Sequence, residues 1–329
     1  MKILFVDQNS QYLKERLKEL KLKFPNHEFI EISKTDENFI NELKTADGIV
    51  NGYLEEKYIN LCKKLKIVFV PFAGVNNLDL KPLFEREVMI SNSHGNGKYV
   101  AERAFSLALA LMGKIQSYHE DLKVGKWHGF TVHESAKKTW TSMFEKKCGI
   151  LGLGSIGINL AKLLKAFDCE VIGYKRNLDV LPPKNIDKIT NNLEEVFENS
   201  DIIFICLPLT DKTEGIIDEK YLNKMSNKFL INIGRGPIIK EKDLYESLEN
   251  KFLKGFAGDV WYNYPTNEKK LVLPSNYPIH LLENVLLSPH VAGYNIEAVE
   301  GSIDGTFENI ISFLEKGKPS HLVNKNEKY

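Results

Sequence analysis

Short apolar runs alternate with amphipathic stretches along most of the chain. Residues 2–6 (KILFV) form an apolar run, closed by Asp7. Residues 10–22 then place Leu13, Leu17 and Leu20 on one helical face. The same pattern predicts strands at 28–32, 48–50, 66–70 and 87–90. It predicts helices at 36–43, with Asp36 as cap, and at 55–61. Residues 98–122 carry one long helical pattern, apolar on most faces in its first half. Residues 123–147 are polar and irregular, with Trp127 and Trp140, and read as a connecting arm.

A second series starts at Cys148. It predicts strands at 148–151, 170–174, 201–207, 229–233, 255–260 and 285–287. Helices are predicted at 155–167, 192–199, 241–250 and 298–315. Alternation at this spacing indicates parallel sheets with crossover helices, so the fold class is α/β with two open-sheet halves.

The chain has 329 residues, enough for about two domains. Lys+Arg and Asp+Glu are both 44, so the basic excess of a nucleic-acid binder is missing. The longest apolar stretch, residues 104–112, is too short to span a bilayer. The N-terminus has an acid directly after its apolar run and no small-residue cleavage site, which argues against a signal peptide. Cys62, Cys148, Cys169 and Cys206 form no CxxC and no metal-ligand spacing; they read as thiols of a reducing cytoplasm, and no metal is expected.

Gly152, Gly154 and Gly157 form G-x-G-x-x-G between a predicted strand and an amphipathic helix. The first glycine permits a tight turn, the second lets backbone approach a pyrophosphate, and the third allows close helix–strand packing. The amides of Ser155 and Ile156 would then face phosphate oxygens. After the next strand, an NAD site usually carries an acid for the ribose 2′-hydroxyl. Here the residues are Lys175, Arg176 and Asn177, which suit a 2′-phosphate and predict NADPH over NADH.

Arg235, Asp259 and His290 fall at the ends of later strands, where open α/β sheets bind ligands. A guanidinium can hold a carboxylate and polarise a carbonyl, and a histidine can protonate the alkoxide that hydride delivery creates. Taken singly, a structural ion pair and a core histidine are the simpler roles for Arg235 and His290.

Together, AGVNNLDL, SNSHGNGKYVAERAFSLALAL, GILGLGSIG, CLPLTDKTEGII, INIGRGPII, GDVW and SPHVAG occur in an order that resembles the D-specific 2-hydroxyacid dehydrogenase family. The resemblance implies two Rossmann-like, doubly wound parallel-sheet domains, one flavodoxin-like and one dinucleotide-binding, with an interdomain cleft. Residues 1–95 plus 294–329 would bind substrate, and 96–293 the dinucleotide, with 98–147 as dimerisation helix and arm of a homodimer. It implies that Arg235 clamps a 2-oxo acid such as glyoxylate or hydroxypyruvate and that His290 is the acid in reduction. Asp259 would meet the nicotinamide carboxamide. Cys206, Leu207, Thr213, Ile233, Gly234 and Gly293 would lie along the cofactor. Backbone around Ala73, Gly74 and Val75 would hold the substrate carboxylate, with Asn96 nearby. Tyr53 fits either a pocket wall or simple packing, and Arg103 reads as a helix ion-pair residue.

One position departs from the family pattern. Most members have a glutamate that pairs with the histidine and raises its pKa; this chain has Tyr264. A phenol favours imidazolium far less. The expectation is a lower working pKa for His290, with its ring oriented by the Tyr264 hydroxyl or its charge supplied by Glu268 or Glu283. Tyr264 and Asn96 also allow a formate- or phosphite-type dehydrogenase. A cofactor-binding regulator is a further alternative, which retention of Arg235 and His290 fits badly.

Overall fold

A computed structural model describes residues 1–178, 182–325 and 327. The chain splits into two compact units, Met1–Asn96 with Asn295–Tyr329, and Gly97–Tyr294.

The first unit holds a parallel five-stranded sheet of β1 (Lys2–Val6), β2 (Glu28–Ile32), β3 (Gly48–Val50), β4 (Ile67–Val70) and β5 (Met89–Asn92), in the order β2-β1-β3-β4-β5. Leu4 pairs with Ile30 on one side and Ile49 on the other. Parallel central strands are covered on both faces, so they read as unbroken apolar runs. Leu4 and Val6 pack into one core layer with Phe39, Leu43 and Leu83. Ile3 and Phe5 pack into the other with Leu13, Leu17, Phe307 and Ile310. The last two come from the C-terminal helix Ile296–Lys316, capped by Asn295 and ended by Gly317 at φ +73°.

The second unit holds a parallel seven-stranded sheet of β6 (Lys147–Leu151), β7 (Glu170–Tyr174), β8 (Lys188–Thr190), β9 (Ile202–Ile205), β10 (Phe229–Asn232), β11 (Gly255–Gly258) and β12 (Val285–Leu287). Its order is β12-β11-β10-β9-β6-β7-β8. The chain reverses direction across the sheet between β6 and β9, and ligands bind at the carboxyl ends of strands at such a switch point.

Two predicted helices change. The single pattern over 98–122 is two helices, Gly97–Met112 and Ile115–Lys123, because Lys114 adopts φ +52° between them. The helix predicted from Asp36 starts at Phe39; the Asp36 carboxylate instead accepts from the Asn38 amide at 2.8 Å and closes a turn. The three-residue edge strand β8 and the helix Leu80–Glu85 lie where no element is expected. No helix among the described residues is long and apolar enough to cross a membrane.

Candidate active site

The loop after β6 carries the three glycines. Gly152 sits at φ +104°, a backbone state that side chains rarely adopt, and a Cβ there would meet the Cys206 carbonyl oxygen at 3.0 Å. A Cβ on Gly157 would collide with the Gly152 carbonyl, so the helix Ser155–Lys165 packs this close only with glycine. A Cβ on Gly154 would meet nothing within 4 Å. The first glycine is therefore required by the turn and the third by packing, while the second faces space. That combination fits a pyrophosphate laid against the helix N-terminus, where the helix dipole favours an anion.

Lys175, Arg176 and Asn177 follow β7, and with Leu178 and Asn191 they line a cavity of about 640 Å³. The Lys175 amide donates to the Thr190 carbonyl at 2.9 Å, which fixes the start of this segment against β8. The described residues that line the cavity include two cations and no carboxylate.

The turn after β9 carries Cys206, Leu207 and Thr213. Burial pushes the Cys206 thiol up to about 12, so it stays a thiol at neutral pH. The Thr213 hydroxyl donates to the Pro208 carbonyl at 2.6 Å and accepts from the Thr210 amide at 2.8 Å, closing the turn.

Arg235 follows β10. Ile233 is buried, and a Cβ on Gly234 would collide with the Leu207 carbonyl. A Cβ on Gly236 would collide with the Trp261 carbonyl. The glycines flanking Arg235 thus let its loop pass between two neighbouring turns. Asn232, which is buried, clamps the loop: its Oδ1 accepts from the Gly234 amide and its Nδ2 donates to the Arg235 carbonyl, both at 3.0 Å. Arg235 Nη1 donates to the Gly234 carbonyl at 2.7 Å. Among the described residues no carboxylate lies within ion-pairing distance of Arg235, so the simpler role as a structural ion pair does not hold.

Asp259 follows β11 and is 1% exposed. Its Oδ1 accepts from the Ser288 hydroxyl and the Val291 amide (3.1 Å), and its Oδ2 accepts from the Ala292 amide (2.9 Å). The carboxylate is thereby the anchor of the turn that carries His290 and Gly293. His290 itself lies at φ +58°, in the left-handed region.

The Tyr264 and His290 rings pack with centroids 5.4 Å apart and planes tilted by 56°. The Tyr264 hydroxyl accepts from the Trp261 amide at 3.0 Å. It therefore braces its own loop, and the ring is what meets His290. Burial, then the Arg235 guanidinium, hold the His290 pKa below the ordinary imidazole value, and Asp259 opposes them. The charges that bear on His290 are thus Arg235 and Asp259, rather than Glu268 or Glu283. Burial raises the Tyr264 pKa.

In the first unit, the loop after β4 carries Ala73, Gly74 and Val75, with Val75 buried. Asn92, at the end of β5, donates to the Ala73 carbonyl at 2.7 Å and pairs with His94 Nε2 at 3.1 Å. Tyr53 is 56% exposed and packs on Phe72 at 5.4 Å. Asn96 is half-buried where β5 gives way to the following helix.

Ser288, Asn232 and Asn92 were not legible as site residues. The available signal was a polar residue ending an apolar strand run, as in FLIN and MISN.

A family model described as D-isomer specific 2-hydroxyacid dehydrogenase, NAD binding domain, matches residues 105–292. A glyoxylate reductase of Thermofilum pendens is 27% identical over 316 residues, covering 91% of this chain and 87% of that protein. A formate dehydrogenase of Neurospora crassa is 28% identical, covering 84% and 75%. A solved acyclic imino acid reductase, in complex with NADPH and D-Arg, superposes with a TM-score of 0.79 at 27% identity, covering 98% and 100%.

Proposed function

The chain belongs to the D-isomer specific 2-hydroxyacid dehydrogenase family of oxidoreductases, and from that premise we propose that it reduces a small 2-oxo acid, of the glyoxylate or hydroxypyruvate type, to the D-2-hydroxy acid with NADPH. Arg235 carries this reading. It is a guanidinium without a carboxylate partner among the described residues, held by Asn232 and acting electrostatically on His290.

The unit Gly97–Tyr294 takes the dinucleotide: Gly152, Gly154, Ser155, Ile156 and Gly157 the pyrophosphate, and Lys175, Arg176 and Asn177 the 2′-phosphate. The other unit takes the substrate carboxylate on the backbone of Ala73, Gly74 and Val75. The nicotinamide, when bound, supplies the hydride. Arg235 binds the 2-oxo acid and polarises its carbonyl. His290 gives its ring proton to the oxygen that gains charge. Asp259, Ser288 and the amides of Val291 and Ala292 hold the turn in place.

A second reading takes 2-imino acids as substrates. One observation favours it: His290 stands against the Tyr264 phenol and the Arg235 cation, and the one carboxylate acting on it, Asp259, is already engaged by three donors. An iminium nitrogen brings its own proton, so a neutral His290 serves as hydrogen-bond acceptor and no acid is needed. The similarity to the imino acid reductase is in keeping with this.

The exposed arm aromatics Trp127, Phe130, Trp140 and Phe144 support a homodimer in which a second copy covers them, checked by light scattering. The buried thiols of Cys62, Cys148 and Cys169 suit a cytoplasmic setting.

The test is initial-rate loss of NADPH absorbance with glyoxylate, hydroxypyruvate and pyruvate, each with and without an added amine, alongside NADH. Turnover without amine supports the oxo-acid reading; turnover only with amine supports the imino-acid reading. Oxidation of formate or phosphite instead of either would replace both.

A further inference from the structure

Arg103 lies on the helix Gly97–Met112, where sequence suggests an ion pair along the helix. The structure gives it a different partner. Its Nη2 donates to the Ser288 hydroxyl at 3.0 Å, and among the described residues no carboxylate lies within ion-pairing distance. Its Nε is buried without a hydrogen-bond partner among the described residues. Arg103 is half-buried, and a buried donor atom left without a partner is costly, so the contact its guanidinium does make calls for a reason.

That contact is the first link of a short relay. A serine hydroxyl has one proton to give and lone pairs to accept with. With the guanidinium donating into the oxygen, the proton is left for Asp259 Oδ1, and that bond is present. Ser288 is 1% exposed and is held from two further directions: its carbonyl accepts from Trp261 Nε1 at 2.8 Å, and its amide donates to the Gly258 carbonyl at 2.9 Å. Asp259 in turn binds the amides of Val291 and Ala292, on the far side of His290. His290 is thus bracketed by residues that converge on one carboxylate, at a left-handed φ that an unsupported turn would relax.

We propose that Arg103, acting through the Ser288 hydroxyl and Asp259, is the positioning residue for His290. It works by fixing which way the Ser288 hydroxyl proton points. The proposal rests on the reading of His290 as the proton-transferring group, and its test does not need turnover.

The ring of His290 is titrated by NMR in the full chain, its signal assigned by its loss in His290→Gln. Arg103→Met and Ser288→Ala are compared with the parent and with Arg103→Lys, which keeps a donor for the hydroxyl. The expected result is that both disruptive variants move the His290 titration up toward the ordinary imidazole value as the turn loosens and the ring leaves its fixed place beside the Arg235 charge, while Arg103→Lys stays closer to the parent. In the rate assay kcat falls roughly tenfold to a hundredfold, as for a misplaced reacting group, with less change in KM. Unchanged His290 titration in folded Arg103→Met and Ser288→Ala would overturn the proposal, whatever their melting temperatures. Should Arg103→Met not fold, Ser288→Ala decides alone. A parent inactive on every oxo and imino acid, with the titration still displaced in the variants, would leave the relay standing and remove the assigned reaction.

Discussion

Tyr264 meets His290 ring to ring, 5.4 Å between centroids, while its hydroxyl is turned to the Trp261 amide. A neutral ring stands where a carboxylate would favour imidazolium. Together with burial and Arg235 it leaves His290 below the ordinary imidazole pKa. On the proposed 2-oxo acid reduction, the protonated His290 is then lost as pH rises through a value below 6.5. Tyr264→Glu should move that limb of the kcat/KM profile upward by about one to three pH units, the usual effect of an adjacent opposite charge. A pH–rate series on both proteins checks this, and an unmoved limb would rule out the Tyr264 contact as the cause.

Arg235→Met should have two separable effects. Loss of the guanidinium should lower kcat/KM for the oxo acid by roughly a hundredfold to a thousandfold, the scale for losing one transition-state donor. It also removes a cation that lowers the His290 pKa, so the His290 titration should rise. Lower activity with an unmoved titration would separate Arg235 from His290.

The phosphate-binding turn predicts opposite behaviour at neighbouring glycines. Gly157→Ala forces a methyl into the Gly152 carbonyl and should destabilise the protein by about 1–3 kcal/mol. Gly154→Ala meets nothing in the protein, so its melting temperature should hardly change, while NADPH affinity falls. Calorimetric melting and dinucleotide titration on the pair distinguish the two roles.

Lys175→Ala combined with Arg176→Ala should weaken NADPH and leave NADH nearly unchanged. A hydrogen bond to a charged group contributes about 1.5–3 kcal/mol, so the expected rise in KM for NADPH is roughly tenfold or more. Equal losses for both dinucleotides would place the phosphate elsewhere.

How much of this was legible in the sequence differs from element to element. The buried parallel strands were legible because their apolar runs are continuous: β3 and β7 begin and end where the pattern does. β8 was not, because an edge strand of three residues, KIT, has one fully buried side chain and no alternation to detect. The break at Lys114 was hidden because the apolar pattern runs straight across it, and only the backbone reports the left-handed residue. In the site, the glycine turn and the order of Arg235, Asp259 and His290 could be read directly. The partner of Arg103 could not, since it lies 185 positions away on another element and no local spacing encodes it.

His94 couples stability of the first unit to acid. Burial, and then the charge of His321, lower its pKa from the ordinary 6.5 to about 4. The ring accepts its proton more readily in the unfolded chain than in the folded one. A group of this kind leaves stability intact above the unfolded pKa and removes it as pH falls toward the folded one. The window is therefore between about pH 6.5 and 4, and the full effect is ~3 kcal/mol at the acid end. The physical seat of the effect is local: His94 pairs with Asn92, Asn92 holds the Ala73 carbonyl, and Asn309 of the C-terminal helix holds the Asn92 carbonyl at 2.8 Å. Protonating His94 places a charge in this buried network and next to the ring of His321, 5.0 Å away. His94→Gln, which keeps a donor but cannot gain charge, should flatten the pH dependence of chemical denaturation over this window and leave the stability at pH 7 less affected. Parallel curves for the two proteins from pH 7 to 4.5 would show that another group carries the acid sensitivity.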